Sequence, residues 1–255
     1  MRGARRRRVS LAAVARVVAS RDAPAVPFAD LSPLERSAVE EALIVAWSRV
    51  PAAAARVGVD LSSADEESIT RLLRGVLDGL RRDRSNPVPG FSDREFDHIP
   101  ESEAIEGVDG SVLYPDLVVR PRNIPATVPL GRTVDYGLVI ECKLLDARRA
   151  HHSLRTYCVK GLLRFLTGGY AAAMPSGMLL AYVRCDWSVP GELVRHFSEA
   201  NYAREYQVTE MPALAGHRTP ARVPVYSSLH RRDGVLVWGR HPAGDIAVTH
   251  LWLRC

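Results

Sequence analysis

Three charged residues stand inside otherwise apolar stretches of this chain, at a spacing that suits chemistry. Val139 to Leu145 reads Val-Ile-Glu-Cys-Lys-Leu-Leu, so Glu141 and Lys143 interrupt a buried-strand pattern. Side chains on a strand alternate between faces. Glu141 and Lys143 therefore share one side, and Ile140, Cys142 and Leu144 the other. A carboxylate and an ammonium are costly to bury unless they pair or coordinate something. Asp116, in Tyr-Pro-Asp-Leu-Val-Val, breaks the apolar rule in the same way on the preceding stretch. If the two stretches pair, Asp116 and Glu141 converge at one end of a sheet. Two convergent carboxylates suit Mg²⁺, with Mn²⁺ as a substitute, because such ions take oxygen ligands. The ion would lower the pKa of bound water and neutralise charge on a phosphodiester. Lys143 would orient or activate that water, or act on the phosphoryl group as a point charge. The backbone carbonyl of Cys142 is a further oxygen donor. The plainer alternative is a structural Glu141–Lys143 ion pair with Asp116 as a turn residue. Asp135 is a rival first acid, but on the same strand it would stand roughly 20 Å from Glu141.

Pro115-Asp116 followed by Glu141-Cys142-Lys143 resembles the PD-(D/E)xK signature of the restriction-endonuclease-like superfamily, over about residues 60–185. The step from Asp116 to Glu141 is longer than in many members, which implies an insertion. The resemblance implies an α/β fold, a mixed central β-sheet flanked by helices. It also implies a Mg²⁺-dependent endonuclease acting on DNA, a role in restriction or phage defence, and a homodimer or a defence-complex partner. A non-catalytic nucleic-acid-binding or assembly subunit that keeps the fold is the alternative from another class. Members often add an acid from an early helix. Glu66 fits, because it precedes Ile69 by three and Leu73 by seven and so lies on the apolar face. Its other role is capping-box partner of Ser63.

On the helix expected after the motif, Tyr157, Lys160, Gly161, Arg164 and Gly168 share one face. A basic and aromatic face beside a metal site suits phosphate contacts, though a solvated face explains Lys160 as well. His151-His152 has no third ligand at metal spacing, which argues against zinc.

The elements that must position these groups follow from periodicity and breakers. A helix is expected over 33–56, with Pro33 in its first turn, a stripe of Leu34, Val39, Leu43, Ile44 and Trp47, and Pro51 trimming its end. The clearest helix spans 64–82, where Ile69, Leu72, Leu73, Val76, Leu77 and Leu80 recur at helical spacing, with Glu67, Thr70, Arg71 and Arg74 on its polar face. Residues 84–111 are loop-rich, with room for a hairpin. Strands are expected at 112–119 and 136–145, joined by a Pro-rich loop, then a helix over 151–173, a buried strand over 178–183 and a helix over 191–204. Strands at 222–229, 234–239 and 246–253 close the chain, the last two joined across His241-Pro242-Ala243-Gly244. This divides the chain into a basic tail (1–28) and a nuclease-type domain (29–255). The domain has a helical part (29–83), a catalytic core (84–185) and C-terminal strands (186–255).

Composition sets the outer bounds. With 255 residues, 47% hydrophobic and 25% charged, the chain can bury a full core without staples. Much of the +5 charge lies in Arg2, Arg5, Arg6, Arg7 and Arg8, with Arg16 and Arg21 beyond. That favours a basic tail over a basic domain. An Arg-rich, acid-free start also has a transit-peptide character, and the short apolar run Val9 to Ala15 falls short of a secretory core. No apolar run reaches membrane-spanning length, so no membrane partner is expected. The four cysteines show no paired spacing and fit a reducing, cytoplasmic setting.

Overall fold

The computed structural model describes residues 26–100, 104–215 and 223–255. The basic tail expected over 1–28 falls outside them except for its last three residues. These already belong to the folded body: Phe28 is buried and its N–H donates to the Ala173 carbonyl at 2.7 Å.

Helix α1 spans Pro33–Val57 and α2 spans Glu66–Arg82. Ser32 caps α1 in a reciprocal box with Glu35, and Gly58 ends it in the left-handed conformation. Pro51 does not trim the helix. Burial of Val39, Leu43, Ile44, Val50 and Ala54 along one stripe outweighs the single N–H that proline lacks. Leu34, expected in that stripe, is exposed. In α2 the cap is Asp65, whose carboxylate accepts from Ser68 N at 2.7 Å, and not Ser63, which turns back to Asp60. Glu66 is thereby released from the expected capping box. Thr70 is not on a polar face either: it is buried, with its hydroxyl 3.1 Å from that of Tyr182.

The stretch expected as one strand over 112–119 is two. Strand β1 (Ile105–Glu106) pairs with β2 (Val112–Leu113) in a separate hairpin. Strand β3 (Leu117–Val119) starts after the Tyr114-Pro115-Asp116 break and joins the central sheet. That sheet also contains β4 (Leu138–Leu145), β5 (Ser176–Val183), β6 (Val208–Leu214), β7 (Val225–His230) and β10 (Ile246–Arg254), in the order β3-β4-β5-β10-β7-β6. Strands β4, β5 and β10 run parallel, while β3, β7 and β6 pair antiparallel at the flanks. The fold is therefore mixed α/β with a six-stranded central sheet. Residues of β4 and β5 are buried throughout, as parallel strands covered on both faces require. Strand β6 was not expected. The 234–239 stretch forms only β8 (Leu236–Val237), which pairs with β9 (His241–Pro242) instead of leading directly into β10.

Helices cover both faces. Trp47 of α1 stacks on Tyr182, on the side of the sheet that carries Cys142 and Leu144. The other face, with Glu141, Lys143 and Leu179, is covered by a composite helix shorter than the expected 151–173. It comprises Leu154–Tyr157, a π-turn over Cys158–Leu162, and Leu163–Leu166. Gly168, at φ 76°, ends it. Gly161 is required by close approach, since a Cβ there would stand 2.6 Å from Leu179 Cδ1. The helix expected over 191–204 is likewise broken, into a π-turn at Val189–Leu193 and short helices Val194–Ser198 and Ala200–Glu205.

Candidate functional site

The site forms where β3 leaves β4. The two strands pair from Leu117 opposite Ile140 to Val119 opposite Leu138, and no further. Beyond Ile140 the edge of β4 must find other partners for its amides, because a buried N–H left unpaired is costly. Two carboxylates supply them. Asp116 Oδ2 accepts from Cys142 N at 2.7 Å, and Glu66 Oε2 accepts from Leu144 N at 2.6 Å. The Cys142 carbonyl faces the same edge and accepts from Lys143 Nζ at 2.5 Å. The Lys143 ammonium stands among the acids, 2.8 Å from Glu141 Oε1, 2.9 Å from Glu66 Oε1 and 4.0 Å from Asp116 Oδ2. Asp116, Glu141, Lys143 and Glu66 thus come together from three elements. The two motif acids face the same nitrogen, Lys143 Nζ.

Burial gives these charges their character. It pushes the Glu141 carboxyl up to about 7, with the neighbouring Asp116 adding to the rise and Lys143 opposing it. Glu141 Oε2 is buried with no hydrogen-bond partner. Asp116 is also held above the ordinary carboxylate range by burial, against the pull of Lys143. Burial works against the Lys143 charge, but Glu141, Glu66 and Asp116 outweigh it and hold the ammonium above the usual lysine range. Lys143 therefore stays protonated near neutrality. It stands among the acids as a cation and hydrogen-bond donor.

Arg164 belongs to the site: its Nη1 lies 3.3 Å from Glu141 Oε1. The same guanidinium bonds the hydroxyl of Tyr170 and lies over that ring, and the hydroxyl donates to the Tyr114 carbonyl at 3.1 Å. Lys160 is exposed on the π-turn. Tyr157 does not join them. It is fully buried, with its hydroxyl 2.8 Å from His250 Nδ1, so it cannot meet a nucleic acid. The shared face expected for Tyr157, Lys160 and Arg164 assumed an unbroken helix, and the π-turn rotates the residues after it. Asp135 is not on the strand of Glu141 but in the 3₁₀ turn Leu130–Asp135 before it. Sequence reasoning missed Tyr170 and Arg74, whose Nη2 donates to the Asp116 carbonyl at 3.3 Å. The Gly168-Gly169-Tyr170 run was a signal that the chain turns back there.

Among the described residues, no three His, Cys, Asp or Glu side chains are placed to hold a metal ion. The reason is visible: the Lys143 ammonium occupies the point on which the acids converge. The donors that remain for a divalent ion are the carboxylates of Asp116 and Glu141 and the carbonyl of Cys142. All are hard oxygens, and one of them, Glu141 Oε2, lacks a partner. All four cysteines are free thiols. No described helix is long and apolar enough to cross a membrane. No family model, curated protein or solved structure matches the chain.

Proposed function

We propose that this protein is a metal-dependent nuclease of the restriction-endonuclease-like type that hydrolyses phosphodiester bonds in DNA. The observation that carries the proposal is the convergence of Asp116, Glu141 and Lys143, with the Cys142 carbonyl, at the point where β3 and β4 part. The order of elements around it supports the same fold. Asp116, Glu141 and the Cys142 carbonyl would hold Mg²⁺ or Mn²⁺. Bound there, the ion supplies a Lewis acid for the phosphoryl oxygens and a water of lowered pKa.

The chain's own residues do the rest. Lys143 presents N–H donors and a full positive charge to an anionic phosphoryl group. Glu66 holds that ammonium from the far side and fixes β4 through Leu144 N. Arg164 holds Glu141 through Oε1 and leaves Oε2 for the ion. The guanidinium is half-exposed and, with Lys160, is placed to meet the phosphate backbone. A role in restriction or phage defence, and a homodimeric state, follow from the motif resemblance alone.

A second reading draws support from the same ion pairs. Lys143 neutralises the acids without a metal, so the cluster would also serve as a fixed cap on β4 in a nucleic-acid-binding or assembly subunit. Cleavage decides between them. Supercoiled DNA, linear DNA and RNA are incubated with the protein and Mg²⁺ or Mn²⁺, beside Lys143→Ala and Asp116→Ala. The nuclease proposal expects DNA cleavage by the wild type and a loss of at least about 100-fold in each variant. Equal cleavage by all three proteins would remove the proposed site. Absence of cleavage on every substrate supports the binding subunit.

A further inference from the structure

A cavity of about 290 Å³ lies beside the site. Its wall includes Val139, which precedes Glu141 by two residues on β4 and shares its face, so it stands about 7 Å from the acid. Gly169, on its rim, adjoins Tyr170, whose hydroxyl holds Arg164. The volume is near the lower end for sites that take small organic groups, roughly 300–1,000 Å³.

Three features mark it as built for a ligand. Of the described non-glycine residues, only Ala171, Gln207 and Trp238 have a positive φ, and two of the three, Ala171 and Trp238, line this cavity. Left-handed backbone is unfavourable for residues with a Cβ, and such strain gathers at functional sites. Trp238 gives the cavity an aromatic wall, braced by Phe28 at 5.8 Å between ring centroids and covered by the Arg132 guanidinium, 5.0 Å from the ring centre. Asp135 supplies the third feature. Its Oδ2 is buried with no hydrogen-bond partner: Arg132 Nη1, at 3.7 Å, is too far for a hydrogen bond, and the Trp238 side chain only partly offsets the burial of the carboxyl. The cavity therefore offers an aromatic wall, an acceptor in need of a donor and a position next to the proposed site through Val139. A flat ring with an N–H donor, one sugar away from a phosphate, satisfies all three.

We propose that this cavity receives an amine-bearing nucleobase, packed beside Trp238 and Arg132 with its amino group donating to Asp135. The choice of ligand rests on the nuclease reading; the cavity and its unpaired acceptor do not. Guanine fits best, because its ring N–H and exocyclic amine present two adjacent donors to one carboxylate. Thymine fits worst: its single ring N–H lies between two carbonyl oxygens that a carboxylate repels. A base enters such a pocket only when unstacked, so the polymer is bound with one nucleotide turned out, or as a single strand.

The test needs no cleavage. Full-length protein in chelator is titrated with dGMP, dAMP, dCMP and dTMP by calorimetry. The expected result is dGMP binding about tenfold or more tighter than dTMP, the discrimination that a paired hydrogen bond to a base gives. Asp135→Asn should erase that preference, and Trp238→Leu should weaken all four mononucleotides. Equal binding of the four, no binding at millimolar concentration, or an undiminished preference in a folded Asp135→Asn protein would overturn the proposal. The wild-type series stands even if a variant fails to fold. A chain that cuts DNA but binds no mononucleotide loses only the pocket, and one that binds dGMP but cuts nothing loses only the nuclease reading.

Discussion

Two buried polar clusters sit on the same face of the central sheet and are built on opposite terms. One is the charged group of Glu66, Asp116, Glu141, Lys143 and Arg164. The other is neutral and lies two strands away, since Glu141, Leu179 and His250 occupy one cross-strand row of β4, β5 and β10. In the neutral cluster every group has a role. The Trp252 indole donates to the Tyr157 hydroxyl at 3.1 Å, which lies 2.8 Å from His250 Nδ1 and 3.3 Å from the Leu179 carbonyl. Then His250 Nε2 donates to Ser228 Oγ, Ser228 donates to His230 Nε2, and His230 Nδ1 donates to the Tyr206 carbonyl, over 2.8, 2.7 and 2.7 Å. One tautomer of each histidine satisfies the whole chain. The charged cluster leaves Glu141 Oε2 unpaired and lifts two carboxyls out of their ordinary range. A closed network fixes a fold, whereas an open one leaves a buried acceptor without its bond.

Breaking the charged cluster should have the largest effect. Lys143→Ala removes the only ammonium among the acids, and unpaired buried charges of this kind cost about 3–5 kcal/mol. Urea unfolding in chelator should show that loss. A value near zero would mean that the acids are as solvated as a surface group and that the two clusters differ less than their geometry says.

The neutral cluster should declare itself through pH. Burial pushes the His250 imidazole down to about 3 and the His230 imidazole down to about 4, below the ordinary 6.5. The unfolded chain therefore takes up protons that the folded chain refuses. The stability these residues contribute is complete above about pH 6.5 and is lost as pH falls toward about 4. The slope is up to about 1.4 kcal/mol per pH unit for each histidine. Urea midpoints from pH 7 to 4.5 would record it, and His250→Gln should flatten about half of it. An unchanged midpoint across that range would show the network to be open to water.

The smallest effect separates the clusters by sign. Glu141→Gln keeps an acceptor for Lys143 and Arg164 but removes a buried charge that lacks a partner on one side. At pH 8 in chelator this should raise Tm by roughly 2–4 °C, and the nuclease proposal expects the same variant to lose cleavage. A fall in Tm would place Glu141 with the structural ion pairs.

The sequence disclosed the charged cluster better than the neutral one, for a physical reason. Glu141 and Lys143 offend strand alternation within seven residues, and Pro115-Asp116 offends it again nearby, so local pattern suffices. Glu66 was readable from its place on the apolar face of α2, although Ser63 was the wrong cap. Tyr157 misled because its partner, His250, arrives from the last strand of the chain, which inserts between β5 and β7. No local pattern encodes that insertion. The π-turn and the early stop at Gly168 were hidden likewise, since tertiary contacts at Gly161 and Gly177 decide how the composite helix lies on the sheet. The cavity lined by Asp135 and Trp238 joins residues about a hundred positions apart and carried no local sign.

The parting of β3 from β4 has one more consequence, for how copies of this protein behave toward each other. A strand edge with unsatisfied amides is a template on which a foreign strand can lay itself, and chains that expose such edges tend to clump. Here the two amides past Ile140 are already claimed by Asp116 and Glu66. The same acids that assemble the cluster stand guard over the edge, which offers a passing strand no free donors there. Losing them would bare those amides and cost solubility.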